Sequence, residues 1–259
     1  MRLVRADLHV HTVLSPCGGL DMGAPDIVAR ALQLGFGIVA ITDHNTTGNV
    51  AAVQQAARGH ELLVVAGLEI QSSEDVHAVT LFETVEKARE FESWLWVGFP
   101  GVLNRPEYFG PQILIDHENG IIGEQPILLV QGASRGIDEI AREVRGRGGI
   151  CFLSHIDRDY FSYPAILGPI PVDYPVDALE LTCRINPVAM RDLRAKYNGF
   201  RFLRNSDAHC LEQMGRDCST LYKVEEATFD ELRLALQGKE GREILSPWEE
   251  NEQASKSTI

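Results

Sequence analysis

The 259-residue sequence has few of the features that mark membrane, secreted and nucleic-acid-binding proteins. No apolar stretch approaches the roughly 18 residues of a membrane-spanning helix, and no signal-peptide pattern opens the chain. Basic residues do not gather into a stripe and are outnumbered, at 24 Lys and Arg against 37 Asp and Glu. Binding of long nucleic acid depends on basic residues that neutralise its phosphates, so we expect no long duplex partner. Because neither a membrane-spanning stretch nor a signal-peptide pattern is found, we expect no membrane partner and a cytoplasmic protein.

Cysteine and lysine are also scarce. The five cysteines are an odd number without the spacing of a disulfide scaffold, so we expect reduced thiols. The five lysines lie outside the predicted core strands, and this bears on the choice between hydrolase classes below: Lys87, Lys196, Lys223, Lys239 and Lys256.

Strand-like and helix-like segments alternate along most of the chain, which predicts an α/β fold, either a (β/α) barrel or an open doubly wound sheet. The predicted strands include 3–10, 37–42, 62–70, 77–82, 150–155 and 178–182. A Gly- and Pro-rich stretch at 98–126 interrupts this alternation and is interpreted as an insertion. We expect residues 1–245 to form one domain and 246–259 to be a polar, disordered tail.

Histidines concentrate at or beside the predicted strands, mostly near their C-terminal ends, where ligands bind in both candidate architectures. Six of the eight share this placement, together with two carboxylates: His9, His11, His44, His77, His155, His209, Glu69 and Asp207. In a strand, side chains alternate, so Asp7, His9 and His11 share one face. A histidine-carboxylate metal cluster explains this placement better than separate hydrogen-bonded or surface histidines do. The remaining His60 and His117 are excluded from the cluster.

Six ordered segments together resemble the PHP family, named for polymerase and histidinol phosphatase: DLHVHT, ITDHN, GLEI, the His77 strand, LSH and NSDAH. The resemblance implies a distorted (β/α)7 TIM-like barrel with up to three divalent ions, Zn, Mn or Fe, at the C-terminal ends of its strands. It also implies that His9, His11, Glu69 and Asp207 hold the first ion. Glu69 would bridge to a second ion with His77 and His155, and His44 with His209 would bind the third.

Cys17 departs from the commonest family pattern, which places an acidic residue or a histidine five or six positions after the HxH motif. Here Pro16 occupies the fifth position and cannot ligate, whereas Cys17 occupies the sixth. A thiolate is a competent ligand for zinc or iron, so Cys17 is a candidate ligand of the third ion. The alternatives are an unligated thiol and a third site that is empty or completed by water.

The family resemblance and the charge of the predicted cluster both favour hydrolysis of phosphate esters. Three divalent ions with Glu69, Asp207, a thiolate and a hydroxide leave a net charge of about +2, which suits a phosphomonoester dianion. A metal-bridging hydroxide would be the nucleophile, with Glu69 and Asp207 as catalytic carboxylates. Arg158 and Arg184 follow strand ends and could clamp the phosphate, or could form ordinary surface ion pairs.

We therefore predict a metal-dependent phosphoesterase for a small substrate: a phosphomonoester, a nucleotide or a short oligonucleotide. One alternative is an amidohydrolase-like C–N hydrolase, but those with two metals commonly bridge them with a carboxylated lysine, and the predicted core strands have none. Another is a non-catalytic, metal-binding regulatory module. The aromatic loop with Tyr160, Phe161, Tyr163 and Tyr174 could shape a substrate pocket or could be internal packing.

Overall fold

The computed structural model describes residues 1–245. Its strands are β1 (Arg2–Val10), β2 (Ile38–Ile41), β3 (Leu63–Gln71), β4 (His77–Phe82), β5 (Ile113–Ile115), β6 (Ile121–Glu124), β7 (Ile150–Leu153), β8 (Ala178–Leu181), β9 (Phe202–Arg204), β10 (Thr220–Val224) and β11 (Glu243–Leu245). Its α-helices are α1 (Ala24–Gln33), α2 (Val50–Ala56), α3 (Val85–Leu95), α4 (Pro106–Phe109), α5 (Ile137–Gly146), α6 (Tyr163–Leu167), α7 (Pro187–Lys196) and α8 (Phe229–Gln237). The predicted α/β fold is confirmed. The predicted tail at 246–259 lies outside the described residues.

Local sequence explains where the main elements begin and what they bury. In α5, Ile137, Ile140, Ala141 and Val144 are buried at helical spacing and face the sheet. Helix α3 begins after Thr84, whose side chain accepts a hydrogen bond from the Lys87 backbone N–H. Strand β2 is apolar and buried at every position, which is typical of a strand covered on both faces.

Nine strands form one mixed sheet in the order β11-β10-β1-β2-β3-β4-β7-β8-β9, and β5 pairs with β6 separately. Strands β1, β2 and β3 are parallel, and so are β7, β8 and β9. Strand β4 is antiparallel to both β3 and β7, and β10 is antiparallel to β1. The nine-stranded sheet is therefore not a regular succession of seven parallel β/α units.

The sheet curls so that the chain beyond β9 returns to the end of β1. An isolated parallel bridge joins Val10, at the end of β1, to Ala208, just beyond β9. The backbone N–H of His11 also donates to the Ala208 carbonyl, at 3.0 Å. This closure brings the chain after β9 beside the HxH motif of β1, although the two segments are nearly 200 residues apart.

Residues 98–126 pack against the loop between β1 and α1, which carries Cys17. The backbone N–H of Ile113 donates to the Val13 carbonyl, and a Cβ at Gly110 would lie 2.1 Å from the Pro16 carbonyl oxygen. At the hairpin turn, the Asn119 side chain accepts from the Ala24 N–H at the start of α1. This stretch therefore holds one wall of the cluster described next.

No helix within residues 1–245 combines the length and the apolar character needed to cross a membrane.

Candidate metal centre

Glu69 is buried at the centre of a ring of histidines. Its Oε1 lies 3.1 Å from His77 Nδ1, 3.3 Å from His155 Nε2 and 3.3 Å from His9 Nε2. Its Oε2 lies 3.2 Å from His44 Nδ1 and 3.4 Å from His11 Nε2. One carboxylate therefore touches five of the six predicted histidines, which suits the bridging position that the family resemblance assigns to it.

Asp207 forms a second, neighbouring focus. Its Oδ1 lies 3.3 Å from His9 Nε2, 3.2 Å from His11 Nε2 and 3.7 Å from His209 Nδ1. Its Oδ2 accepts a hydrogen bond from Arg158 Nη2 at 2.7 Å. Together the two carboxylates contact all six predicted histidines.

The strands position these side chains in two ways. His9, Glu69 and their neighbours come from the C-terminal parts of parallel strands, as predicted. His77 is different, because it is the first residue of β4. It reaches the cluster because β4 is antiparallel to β3 and pairs His77 with Gln71, two residues beyond Glu69. His77 thus lies at the N-terminal end of its strand, as the predicted strand 77–82 implies, and the antiparallel direction of that strand brings it to the cluster.

The backbone at the cluster adopts conformations that residues other than glycine seldom take. Asn45, His155 and Asp207 have positive φ angles of 56°, 31° and 50°. Such left-handed residues cost on the order of 1–3 kcal/mol each and persist where the surroundings impose them. Here they turn the chain sharply after β2, β7 and β9.

The donor atoms fit divalent cations. Three groups have ligand atoms all within 4.8 Å of one another: His9, His11, Glu69 and Asp207; His44, Glu69 and His77; and His11, His44 and His209. Ions with bonds of about 2.1 Å in tetrahedral sites have ligand atoms about 3.4 Å apart, close to the separations observed here. In addition, His77 Nε2 and His155 Nδ1 are buried without a hydrogen-bond partner in the described part of the chain, and the contact of His44 Nδ1 with Glu69 lacks hydrogen-bond geometry.

The charges inside the cluster compensate one another. Burial disfavours ionised Glu69, but His77 and His9 outweigh it and hold the pKa of Glu69 well below its usual range. For His9, burial lowers the pKa, but Glu180, Glu69 and Asp207 raise it well above the ordinary value. Burial lowers the pKa of His44, and that of His209 to about 4, so these two imidazoles are neutral at pH 7.

Sequence reasoning missed Glu180, which supports the cluster from behind. Its oxygens lie 3.0 and 3.1 Å from His9 Nδ1, accept from Asn205 Nδ2 at 2.7 Å and accept from the His155 backbone N–H at 3.0 Å. This arrangement places the His9 proton on Nδ1 and turns Nε2 toward the cluster. The available signal was a charged residue within the otherwise apolar strand ALEL.

Asp7, which shares a strand face with His9 and His11, is also buried behind the cluster. Its Oδ1 accepts from the backbone N–H groups of Ser206, at 3.0 Å, and His9, at 3.4 Å. Its Oδ2 has no hydrogen-bond partner within residues 1–245. Burial raises the pKa of Asp7 to about 7.

Cys17 lies exposed at the rim, outside the three groups that the described residues form. Partial desolvation and the nearby carboxylates, Glu69 first, raise the pKa of the Cys17 thiol to about 12. An ion would have to displace this proton, so ligation by Cys17 stays a prediction. His60 and His117 are both exposed and lie outside the cluster.

A groove of about 1470 Å³ opens beside the cluster and is lined in part by Arg158, Tyr160, Arg184, Asp192, His209 and Cys218. Arg184 is exposed on its wall, and Arg158 points inward to Asp207. A disulfide between Cys183 and Cys218 joins two segments of this wall. The expectation of reduced thiols is therefore wrong for this pair, because folding brings together cysteines whose spacing gave no signal.

The sequence and fold are similar to those of known proteins. The family model described as PHP domain matches residues 7–122, which confirms the predicted resemblance. The uncharacterized protein YqxK of Bacillus subtilis (strain 168) is 25% identical over 244 residues, covering 91% of this chain and 54% of that protein. The chain thus spans about half the length of this relative.

Solved structures share the fold at low identity. The lesion-specific endonuclease PfuEndoQ from Pyrococcus furiosus has a TM-score of 0.65 and 20% identity, covering 95% of this chain and 60% of that one. An amidohydrolase from Chromobacterium violaceum, solved with bound sulfate and no metal, has a TM-score of 0.56 and 18% identity, covering 93% and 98%.

One expectation is overturned by a further structure, that of Endonuclease Q in complex with a 27-mer duplex substrate with an abasic lesion at its active site. It has a TM-score of 0.66 and 19% identity, covering 93% of this chain and 58% of that one. The prediction that excluded long duplex nucleic acid is therefore wrong. That prediction assumed that the net charge of −13 describes every part of the surface. The potential at a binding site depends instead on local arginines and bound cations.

Proposed function

Because the resemblance to the PHP family is confirmed over residues 7–122, we propose that this protein is a metal-dependent hydrolase of phosphate esters. The observation that carries the proposal is the convergence of six histidines on Glu69 and Asp207 beside a groove that also contains Arg158 and Arg184. The proposal includes phosphodiesters of nucleic acid, duplex included, as well as phosphomonoesters.

In this proposal residues 1–245 form one domain, with 98–126 inserted, and the curled sheet is a distorted form of a (β/α)7 barrel whose mouth would hold up to three ions. His9, His11, Glu69 and Asp207 would hold one ion. Glu69, His77 and His155 would hold a second, and His44 and His209, with Cys17, a third. His155 supports this through its contact with Glu69 at 3.3 Å, although it lies outside the three compact groups.

Divalent ions held here would supply positive charge for the phosphate and acidify a water molecule at neutral pH. The protein supplies the geometry. Glu69 keeps its two oxygens between two sets of imidazoles, and Glu180 keeps His9 in the tautomer that presents Nε2. Arg158 is held beside the cluster by Asp207, and Arg184 stands on the groove wall, so two guanidinium groups can bind phosphate oxygens.

The proposal is tested on a panel of phosphomonoesters, followed by phosphate release, and of phosphodiesters, followed by the alcohol and monoester products, with Zn²⁺, Mn²⁺ or Fe²⁺ added to protein that a chelator has stripped of metal. We expect metal-dependent turnover, loss of at least 100-fold on Glu69→Gln and no effect of His117→Ala. The panel should contain amide and lactam substrates, because an amidohydrolase shares the fold. Turnover of amides without hydrolysis of any phosphate ester would overturn the proposal in favour of C–N hydrolysis, and metal binding without any turnover would favour a regulatory module.

A further inference from the structure

The aromatic loop after β7 divides into two parts with different environments. Tyr163 and Tyr174 are buried, and their rings meet at 4.9 Å. Tyr160 and Phe161 are 60% and 36% exposed. Tyr163 and Tyr174 are therefore internal packing, whereas Tyr160 and Phe161 are available to shape a substrate pocket.

The exposed pair is fixed in place beside the cluster. The Phe161 ring stacks on the imidazole of His77 at 4.6 Å, and its backbone carbonyl accepts from the His77 N–H at 2.8 Å. Phe161 has a φ of 55°, a left-handed conformation that an aromatic residue seldom adopts. Ser162 Oγ donates to the Arg158 carbonyl at 2.6 Å and closes the turn. Strain of this kind is found where the surrounding structure imposes a functional geometry.

Tyr160 extends this corner into the groove. Its ring meets Phe161 edge-on, at 5.8 Å and 88°, and it lines the groove together with Arg158 and Arg184. An edge-on contact covers at most one face of the Tyr160 ring, and the side chain is largely exposed, so at least one face is available for stacking. Exposed aromatic faces beside bound phosphate are the usual platforms for nucleobases.

The rest of the groove favours a base over further phosphates. Asp159, Asp192 and Asp217 are exposed carboxylates on its lining. Carboxylates repel phosphate groups but accept hydrogen bonds from the ring N–H and amino groups of nucleobases. The volume of about 1470 Å³ also exceeds the roughly 300–1,000 Å³ of pockets for small ligands, so a nucleoside can be accommodated.

We propose that Tyr160 is a specificity-determining residue that stacks on a nucleobase carried beside the scissile phosphate, so that the preferred substrates are phosphate esters of nucleosides. This inference rests on the proposed phosphoester hydrolysis and narrows its substrate class. Arg158 and Arg184 bind the phosphate, and the acidic wall accepts hydrogen bonds from the base.

The test compares AMP with ribose 5-phosphate, which has the same ester without the base, and with phenyl phosphate, which has a ring without amino groups. The Mn²⁺-loaded full chain should turn over AMP best. Tyr160→Leu should lower kcat/KM for AMP about tenfold, chiefly through KM, and should change ribose 5-phosphate less than about twofold. Tyr160→Phe should restore the AMP rate. Tyr108→Leu, which removes another exposed tyrosine outside the groove lining, is the matched control.

Calorimetric binding of AMP and of ribose 5-phosphate separates this inference from the proposed activity. If neither ester is hydrolysed but AMP binds more tightly and Tyr160→Leu removes the difference, the proposed hydrolysis is wrong and stacking of a base on Tyr160 is supported. Equal binding of the two esters would overturn the stacking role of Tyr160. So would an equal loss for both esters in Tyr160→Leu, or a preference for phenyl phosphate over AMP.

Discussion

Replacement of Glu180 tests a residue that holds His9 in position but is not itself one of the proposed metal ligands. The Glu180 carboxylate accepts from three buried donors: His9 Nδ1, Asn205 Nδ2 and the His155 backbone N–H. In Glu180→Gln, one oxygen becomes an NH₂ group, and either orientation of the amide directs that group at a donor. One donor loses its acceptor, which costs about 1–3 kcal/mol of unfolding free energy. Glu180→Ala leaves all three without an acceptor and is expected to cost several times as much.

The effect on metal binding is the sharper measurement. The oxygen that remains in Glu180→Gln still accepts from His9 Nδ1, but a neutral amide polarises that imidazole less than a carboxylate does, and loss of such a carboxylate partner typically lowers metal affinity 10–100-fold. We expect that loss in calorimetric titrations of Glu180→Gln with Zn²⁺ or Mn²⁺, together with a changed ¹⁵N shift of the His9 imidazole. Glu61→Gln, at an exposed position after α2, is the matched control. Wild-type affinity and an unchanged ¹⁵N shift in a folded Glu180→Gln protein would refute the assigned role.

Three further predictions concern a cross-link, a buried acid and the rim thiol. The Cys183–Cys218 disulfide spans 35 residues, so Cys183→Ser should lose up to about 4 kcal/mol of unfolding free energy in urea; equal stability under oxidising and reducing conditions would argue against the cross-link. Asp7 has a folded-state pKa of about 7, above its unfolded value of about 3.9, so its stabilising contribution is complete below about pH 4 and is lost as the pH rises toward 7. Asp7→Asn should flatten that decline in the metal-free protein, and an unchanged slope would contradict the shift. Cys17→Ala should lose about one bound ion of three by elemental analysis, and full occupancy would show that Cys17 does not ligate.

The sequence predicted most of the cluster because its members obey a local rule. A residue near the C-terminal end of a parallel strand lies at the ligand-binding edge, whatever its distance from other such residues along the chain. This rule placed His9, Glu69 and His155 correctly. Strand bounds were also close, and the predicted strand 77–82 coincides with β4, because short apolar runs between turn residues are local signals.

The features that were missed depend on contacts between distant segments. The direction of β4 is set by its pairing with β3 and β7, and apolar content alone does not distinguish parallel from antiparallel strands. Strands β10 and β11 extend the sheet beyond β1 by antiparallel pairing that no turn signal predicted. Glu180 gains its role only when β8 meets β1, since His9 and Glu180 are 171 residues apart, and Cys183 and Cys218 meet only when folding closes a 35-residue separation.

The same cluster predicts how metal affinity should depend on pH. Glu180, Glu69 and Asp207 raise the pKa of His9 well above its ordinary value, so in the metal-free protein His9 holds a second proton at pH 7. An ion at Nε2 has to displace that proton, whereas the lowered pKa values of His44 and His209 leave those imidazoles neutral beforehand. Each displaced proton makes the affinity rise about tenfold per pH unit. We therefore expect the affinity for the tightest ion to increase with pH over the range in which His9 holds its second proton, with proton release detected when heats are compared in buffers of different ionisation enthalpy. An affinity that is constant over this range, with no proton release, would show that His9 is already neutral and that the carboxylates around it do not hold the charge assigned to them.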